Sequence, residues 1–365
     1  MATTERVIAL EPIRVEVSIA PDGSTSSVAT DARSLFDAGN QALLSGQSDR
    51  ALSLFDRLIR DFPGSELAVP ALYNAGLALE KKGQPDAAID RYLGIVRRQP
   101  SGRDSRDAHI RAIALLAELS NWPRAAKLAG DFLARGDLSP SDRVEGHARR
   151  GFVLVELRDY ASAESDLSGG LEIASSAKAG TVDPYFVAMS HYYLAEIPRR
   201  QFSVVAIRLP ESQMTKDLNH KASLVLLANE RYDRAIKTGN LYWGTAAGYQ
   251  IAGMQAEFRD AIVLAPTPKY LSEQAAAVYQ RRVHKETWRF LRKALRIHQK
   301  TVELANLYKT TTPWSEAAKL RAEQIAEVLA RESAGELVKP GGLGEHTPVV
   351  TRATPEAYVP ARVEL

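Results

Sequence analysis

The stretch LFDAGNQALLSGQSDRALSLFDRLIRDFP (35–63) decides the fold, because LYNAGLALEKKGQPDAAIDRYLGIVRRQP (72–100) repeats it. The two align without a gap at an offset of 37. Gly39 falls on Gly76, Gly46 on Gly83, Ala51 on Ala88, Phe55 on Tyr92 and Pro63 on Pro100. The pattern is helical, and each copy reads as two helices packed side by side. A small residue on the first helix (Gly39, Gly76) lets the second approach. A small residue on the second (Ala51, Ala88) receives it, and a bulky one a turn later (Phe55, Tyr92) fills the interface. Pro63 and Pro100 stop the second helix. A third copy places Ala114 and Ala126 at an offset of 38, with Gly130 at the bulky position and Leu138 at the terminal Pro position. A fourth places Gly151, Ala163 and Leu167, with Tyr160 just ahead of its second helix.

On these residues the chain resembles the tetratricopeptide repeat family, whose usual period is ~34. The surplus falls around PGSELAVPAL (63–72) and is expected to lengthen a first helix. Three further segments, NLYWGTAAGYQIAG (240–253), APTPKYLSEQ (265–274) and PWSEAAKL (313–320) with IAEVLA (325–330), extend the likeness. They look like deltaproteobacterial tetratricopeptide proteins of the cell envelope, including proteins associated with gliding-motility complexes. The stretch 63–92 also looks like the periplasmic repeats of outer-membrane-assembly lipoproteins and Tol–Pal coordinators. The resemblance spans 31–332 and implies an all-α, right-handed α–α superhelix that binds other proteins in an envelope assembly. The absence of cysteine removes the lipobox of the lipoprotein relatives.

Along the chain, 1–30 reads as an extended N-terminal arm. Ile13, Val15, Val17 and Ile19 alternate with polar residues at strand period, and 21–27 reads as linker. A lone strand cannot bury its own face and needs a sheet or a partner. Four repeats fill 31–175, and degenerate helical repeats fill 176–265, with 218–240 read as a helix, a turn and a short helix. A long basic helix and a capping helix fill 266–332. A Pro- and Gly-rich tail, 333–365, ends in the strand-like AYVPARVEL.

The chain has 365 residues, 45% hydrophobic and 25% charged, which suits a folded protein with a large core. A net charge of +3 argues against a globally basic nucleic-acid binder. With no cysteine, disulfides, thiolate metal sites and thiol nucleophiles are excluded. No apolar run approaches the ~18 residues of a membrane span, so no transmembrane segment is expected. The N-terminus lacks the basic and apolar regions of a signal peptide. The expected location is the periplasm or outer membrane if this is a mature chain, and the cytoplasm otherwise.

Charge concentrates in RRVHKETWRFLRKALRIHQK (281–300), which carries eight Lys or Arg and one acid. At about 100° per residue, Arg281, Arg282, Lys285, Arg289, Arg292, Lys293, Arg296 and Lys300 fall within an arc of about 120°. Val283, Thr287, Leu291, Ala294, Val302 and Ala305 fall opposite. This places a basic stripe about 29 Å long on one face of a helix. Such a stripe suits an acidic protein partner or anionic lipid. Trp288 and Phe290 lie off it, which disfavours single-stranded nucleic acid. The competing reading is a solvated face, or one neutralised by the protein's own acids.

A second candidate is the concave groove lined by first helices. By alignment it includes Arg33, Phe36, Asn40, Tyr73, Asn74, Leu77, Arg111, Leu115 and Phe152, a mix suited to a peptide. Inter-repeat packing is the competing role for each. The third candidate is strand addition by the two arms, at 13–19 and 357–365. No metalloprotease, Walker, EF-hand or nucleophile-elbow motif appears. His284 and His298 stand about 21 Å apart along one helix, too far to share a metal. The expectation is therefore a non-enzyme, with no catalytic residues, no metal and no cofactor.

Overall fold

The computed structural model describes residues 12–19, 22 and 24–340. The strand-like segment 357–365 lies outside them. The described chain divides into two compact units, one through Asp137 and one from Leu138 onward. The division falls inside the segment read as four repeats.

The first unit opens with strands β1 (Arg14–Ile19) and β2 (Thr25–Thr30), which pair antiparallel with Arg14 opposite Thr30 and Ile19 opposite Thr25. The strand at 13–19 thus finds its partner in the chain itself. The segment read as linker supplies half of that partner, since Thr25, Ser26 and Ser27 pair with Ile19, Ser18 and Val17. The polar face of the hairpin engages the second helix of the first repeat. Arg14 pairs with Asp61 at 2.7 Å, and Arg57 pairs with Glu16 at 2.9 Å.

Six helices follow: α1 (Ala32–Leu44), α2 (Ser48–Asp61), α3 (Ala68–Lys81), α4 (Pro85–Arg98), α5 (Arg103–Glu118) and α6 (Trp122–Leu133). Each helix packs against its sequence neighbours, as in a stack of hairpins. The small-to-bulky pairing holds atom by atom. A Cβ on Gly39 would lie 2.6 Å from the Phe55 ring, and one on Gly76 would lie 2.6 Å from the Tyr92 ring. Both rings are fully buried. The surplus residues sit in the turn 62–67 rather than in a longer helix, since α1 has 13 residues and α3 has 14.

The third hairpin corrects the alignment. Ala125 is fully buried, whereas Ala126 is half-exposed, so Ala125 occupies the place of Ala51 and Ala88. The offset is therefore 37 again, and Ala129 stands where Tyr92 stands. Ile113 on the first helix replaces the small Gly76. The sizes have been exchanged between the two helices, and Phe132, stacked 5.8 Å from His109, adds bulk one turn on.

The second unit contains α7 (Pro140–Glu156), α8 (Tyr160–Ser176), α9 (Pro184–Val204), α10 (Glu211–Lys237), α11 (Leu241–Val263), α12 (Glu273–Leu307) and α13 (Pro313–Ser333). Gly151 packs on Leu167 as the repeat pattern requires. The segment read as helix, turn and short helix is one continuous helix, α10. No Gly or Pro interrupts 211–237, so nothing local breaks it. Helices α11, α12 and α13 share a core of Ala252, Ala256, Leu291, Ala294, Ile325 and Val328, closed by Val338 from the chain beyond α13.

The turn inside each hairpin carries a left-handed residue at the same position: Gly46 (φ 73°), Gly83 (φ 69°), Ser120 (φ 55°) and Arg158 (φ 62°). Glycine adopts this conformation without a steric cost, whereas Ser and Arg carry a Cβ into it. Ser120→Gly and Arg158→Gly are expected to raise stability by about 0.5–1 kcal/mol each, and Gly83→Ala to lower it by about 1 kcal/mol. Urea midpoints measured side by side check the three signs.

Candidate interaction surfaces

The first-helix residues expected to line a groove are mostly committed to packing. Phe36 is buried and its ring stands 6.0 Å from Phe55. Tyr73 is buried with its ring 5.3 Å from Tyr92, and burial pushes its hydroxyl pKa up to about 12. Asn74 donates its amide to the Asn40 side-chain oxygen at 2.7 Å, and both residues are buried. This bond joins α3 to α1. Leu77 and Leu115 are buried within the first unit. In the second unit, Phe152 is buried and stacks 4.8 Å from Tyr193.

Arg111 reaches back from α5 to grip Glu80 on α3 with two bonds, at 2.7 and 2.6 Å. Glu80 also accepts the Tyr92 hydroxyl at 2.5 Å. Arg111 thus works as a clamp between neighbouring hairpins. Of the groove set, Arg33 alone is exposed.

Helix α12 presents the basic stripe as the spacing predicts. Arg281, Arg282, Lys285, Arg289, Arg292, Lys293, Arg296 and Lys300 are all exposed. On the opposite arc His284, Thr287, Leu291, Ala294, His298, Thr301 and Ala305 are buried against α11 and α13. Among the described residues, none of the eight cations has an acidic partner within ion-pair distance. Arg289 leans over Phe290 at 4.9 Å, and Arg292 over Trp288 at 5.7 Å. Among the described residues, then, no acid neutralises the stripe through an ion pair.

What holds this face outward was missed from the sequence. Glu332 on α13 is buried and collects three donors or partners from two other helices. It pairs with Arg259 of α11, lies 2.8 Å from His284 Nδ1, and accepts Trp288 Nε1–H at 2.5 Å. Arg259 reaches the Val338 carbonyl at 3.3 Å. The only sequence signals were an acid near the end of a helix and a His on an apolar arc. Neither shows that the two meet.

The hairpin presents a second surface. Ile13, Val15, Val17 and Ile19 are 59–72% exposed. Alternation was legible, but the ion pairs to α2 turn the polar face toward that helix and leave the apolar face in water, with both faces of β1 exposed.

The second unit also holds a cavity of about 350 Å³ lined by Phe202, Lys221, Glu257 and Asp260 among others. The Lys221 ammonium is committed there to the carbonyls of Phe202 and Val205, at 2.6 and 2.9 Å, and so caps the end of α9. Among the described residues, no group of three His, Asp or Glu side chains is placed to hold a metal, and no helix is long and apolar enough to cross a membrane.

Comparison with known proteins agrees with this geometry over the first two hairpins. Residues 33–65 and 70–102 match the family model of the tetratricopeptide repeat. No curated protein matches the sequence. Among solved structures, a tetratricopeptide repeat protein from Parabacteroides merdae is 14% identical, with 75% of this chain and 93% of that one covered and a TM-score of 0.39. MamA from Desulfovibrio magneticus RS-1 (residues 41 to the end) is 13% identical, with coverages of 55% and 96% and a TM-score of 0.35. With TM-scores this low, both are loose likenesses. The first unit of this all-α chain thus carries two tandem helical hairpins that match the tetratricopeptide repeat, at 33–65 and 70–102.

Proposed function

We propose that this chain is a non-catalytic scaffold that holds other proteins in a multiprotein assembly of the bacterial cell envelope. The observation that carries the reading is the stack of helical hairpins with two tetratricopeptide matches. Such a stack builds a long rigid surface from residues whose own side chains are spent on packing. Within the first unit the buried Phe36, Asn40, Tyr73, Asn74 and Leu77 set the spacing of that surface, and exposed positions such as Arg33 touch the partner. The envelope location rests on the likeness of 240–253, 265–274 and 313–330 to deltaproteobacterial envelope proteins, including those of gliding-motility complexes. On this reading the protein works in the periplasm or at the outer membrane.

A second reading is favoured by the α12 cations, which have no acidic partner among the described residues. Here the protein is a cytoplasmic adaptor that docks on an acidic protein or an anionic surface through 281–300.

A photo-crosslinking amino acid placed at Arg33 in the native host tests the first reading. A discrete protein adduct at that position is the expected result. Uncrosslinked chain alone, with the same probe reactive toward added peptide in vitro, removes the groove from consideration.

A further inference from the structure

We infer that the exposed face of α12 docks on a bilayer surface carrying anionic phospholipid headgroups. The inference rests on the second reading above, in which the basic helix is the attachment surface, and it names what that surface meets.

Three observations on α12 lead there. The first is charge. Eight exposed cations run along one arc, five of them Arg, and among the described residues none is paired with an acid. A row of unpaired guanidinium and ammonium groups matches a sheet of phosphates, each cation adding about fivefold to binding near an anionic surface.

The second observation is shape. The helix packs against α11 and α13 through its opposite arc, so the basic arc is the crest of a ridge. A ridge meets a flat surface along its whole length. It offers no walls to grip a peptide.

The third is the apolar residues that share the arc. Val278 and Leu307 lie at about 60° and 80° from Arg281 at helical spacing, inside the same 120° window, which past Lys300 also holds one exposed acid, Glu303, at about 40°. They are 64% and 78% exposed and stand beyond the two ends of the stripe. A partner helix that neutralised the cations with carboxylates would leave these two side chains in water. A bilayer interface accepts both the cations, at the headgroups, and the apolar tips, at the acyl boundary. The apolar arc of the helix is already buried in the protein, so the docking is peripheral and electrostatic, and it does not insert the helix.

The underside of the ridge is built to stay rigid while the crest is loaded. Glu332 ties His284 and Trp288 of α12 to Arg259 of α11. The two α12 partners lie in its first half, beneath Arg281–Arg292.

The test uses the full chain and sedimentation with vesicles of phosphatidylcholine alone, or containing about 30 mol % phosphatidylglycerol, at about 100 mM salt. The wild type is expected in the pellet with the anionic vesicles only, and binding should fall steeply as salt rises. The variant R289E/R292E/K293E/R296E should lose at least ~100-fold in partition, with an unchanged helical circular dichroism spectrum. The variant V278S/L307S should lose about tenfold and keep the salt dependence of the wild type.

Three results would overturn the proposal. One is wild-type protein, folded by circular dichroism, left in the supernatant with anionic vesicles. Another is V278S/L307S binding as well as wild type. The third is R289E/R292E/K293E/R296E, folded by circular dichroism, binding the anionic vesicles as well as wild type. The vesicles contain no protein, so failure here leaves the scaffold reading standing, and loss of protein partners with intact vesicle binding sinks only that reading.

Discussion

Glu332→Ala is expected to destabilise the second unit by about 3–5 kcal/mol, the usual cost of leaving a buried charge without its partner. The Arg259 side chain is only 1% exposed, as is that of Glu332. Removing the carboxylate leaves the guanidinium with Asp260 at 2.8 Å and the Val338 carbonyl, and it strips Trp288 Nε1–H of its acceptor. A double replacement, Arg259→Met with Glu332→Leu, removes both charges and should be less damaging than Glu332→Ala alone. Three of the four tryptophans, Trp243, Trp288 and Trp314, lie in the second unit, so with Trp122 of the first unit replaced by Phe, tryptophan fluorescence during urea unfolding reads this region. A loss below about 1 kcal/mol for Glu332→Ala would show that the cluster is not what anchors α12.

Acidification should unfold the same unit through His298. This side chain is fully buried in α12, stacked 5.3 Å from Tyr249, and among the described residues neither ring nitrogen has a hydrogen-bond partner. Burial, with the Arg321 charge nearby, pushes its pKa down to about 3. Above about pH 6.5 the ring is neutral in both the folded and the unfolded chain, and it adds no pH dependence. Below that, the unfolded chain takes up a proton and the folded chain does not. Stability then falls by up to ~1.4 kcal/mol per pH unit until about pH 3, about 5 kcal/mol in all. His298→Leu removes this dependence and the two unsatisfied nitrogens. At pH 7 it should match the wild type within about 1 kcal/mol, and at pH 4 it should exceed it by about 3 kcal/mol. Urea titrations at the two pH values measure both. Parallel acid profiles for wild type and variant would contradict the assignment.

The repeat was legible wherever packing is local and size-coded. Gly39 against Phe55 and Gly76 against Tyr92 are short-range pairs, and an ungapped alignment finds them. The third hairpin misled by one residue, because Ala125 and Ala126 are adjacent and identical, and with Ala129 where a large residue was sought nothing in the string fixes the register. The left-handed turn does fix it, since Gly46, Gly83 and Ser120 are evenly spaced, but Ser at that position carries no glycine signal. The basic stripe was legible because helical periodicity alone determines which side chains share a face. Its exposure was not, since that depends on what packs beside α12. The Glu332 cluster joins residues 48 and 73 positions apart in sequence, a contact only the tertiary fold creates. The hairpin failed in the opposite sense. Its alternation was plain, yet the side facing α2 is chosen by Arg14–Asp61 and Glu16–Arg57, pairs that no periodicity encodes.

The most direct test of the scaffold reading is affinity purification of the tagged chain from its native host at matched salt, beside the R289E/R292E/K293E/R296E variant, with the bound proteins identified and quantified. The wild type is expected to bring down a fixed set of proteins in near-stoichiometric amounts. The variant is expected to keep those held by the repeats while losing its association with the membrane fraction. Recovery of the wild type alone, from membrane and soluble fractions alike, would contradict that reading.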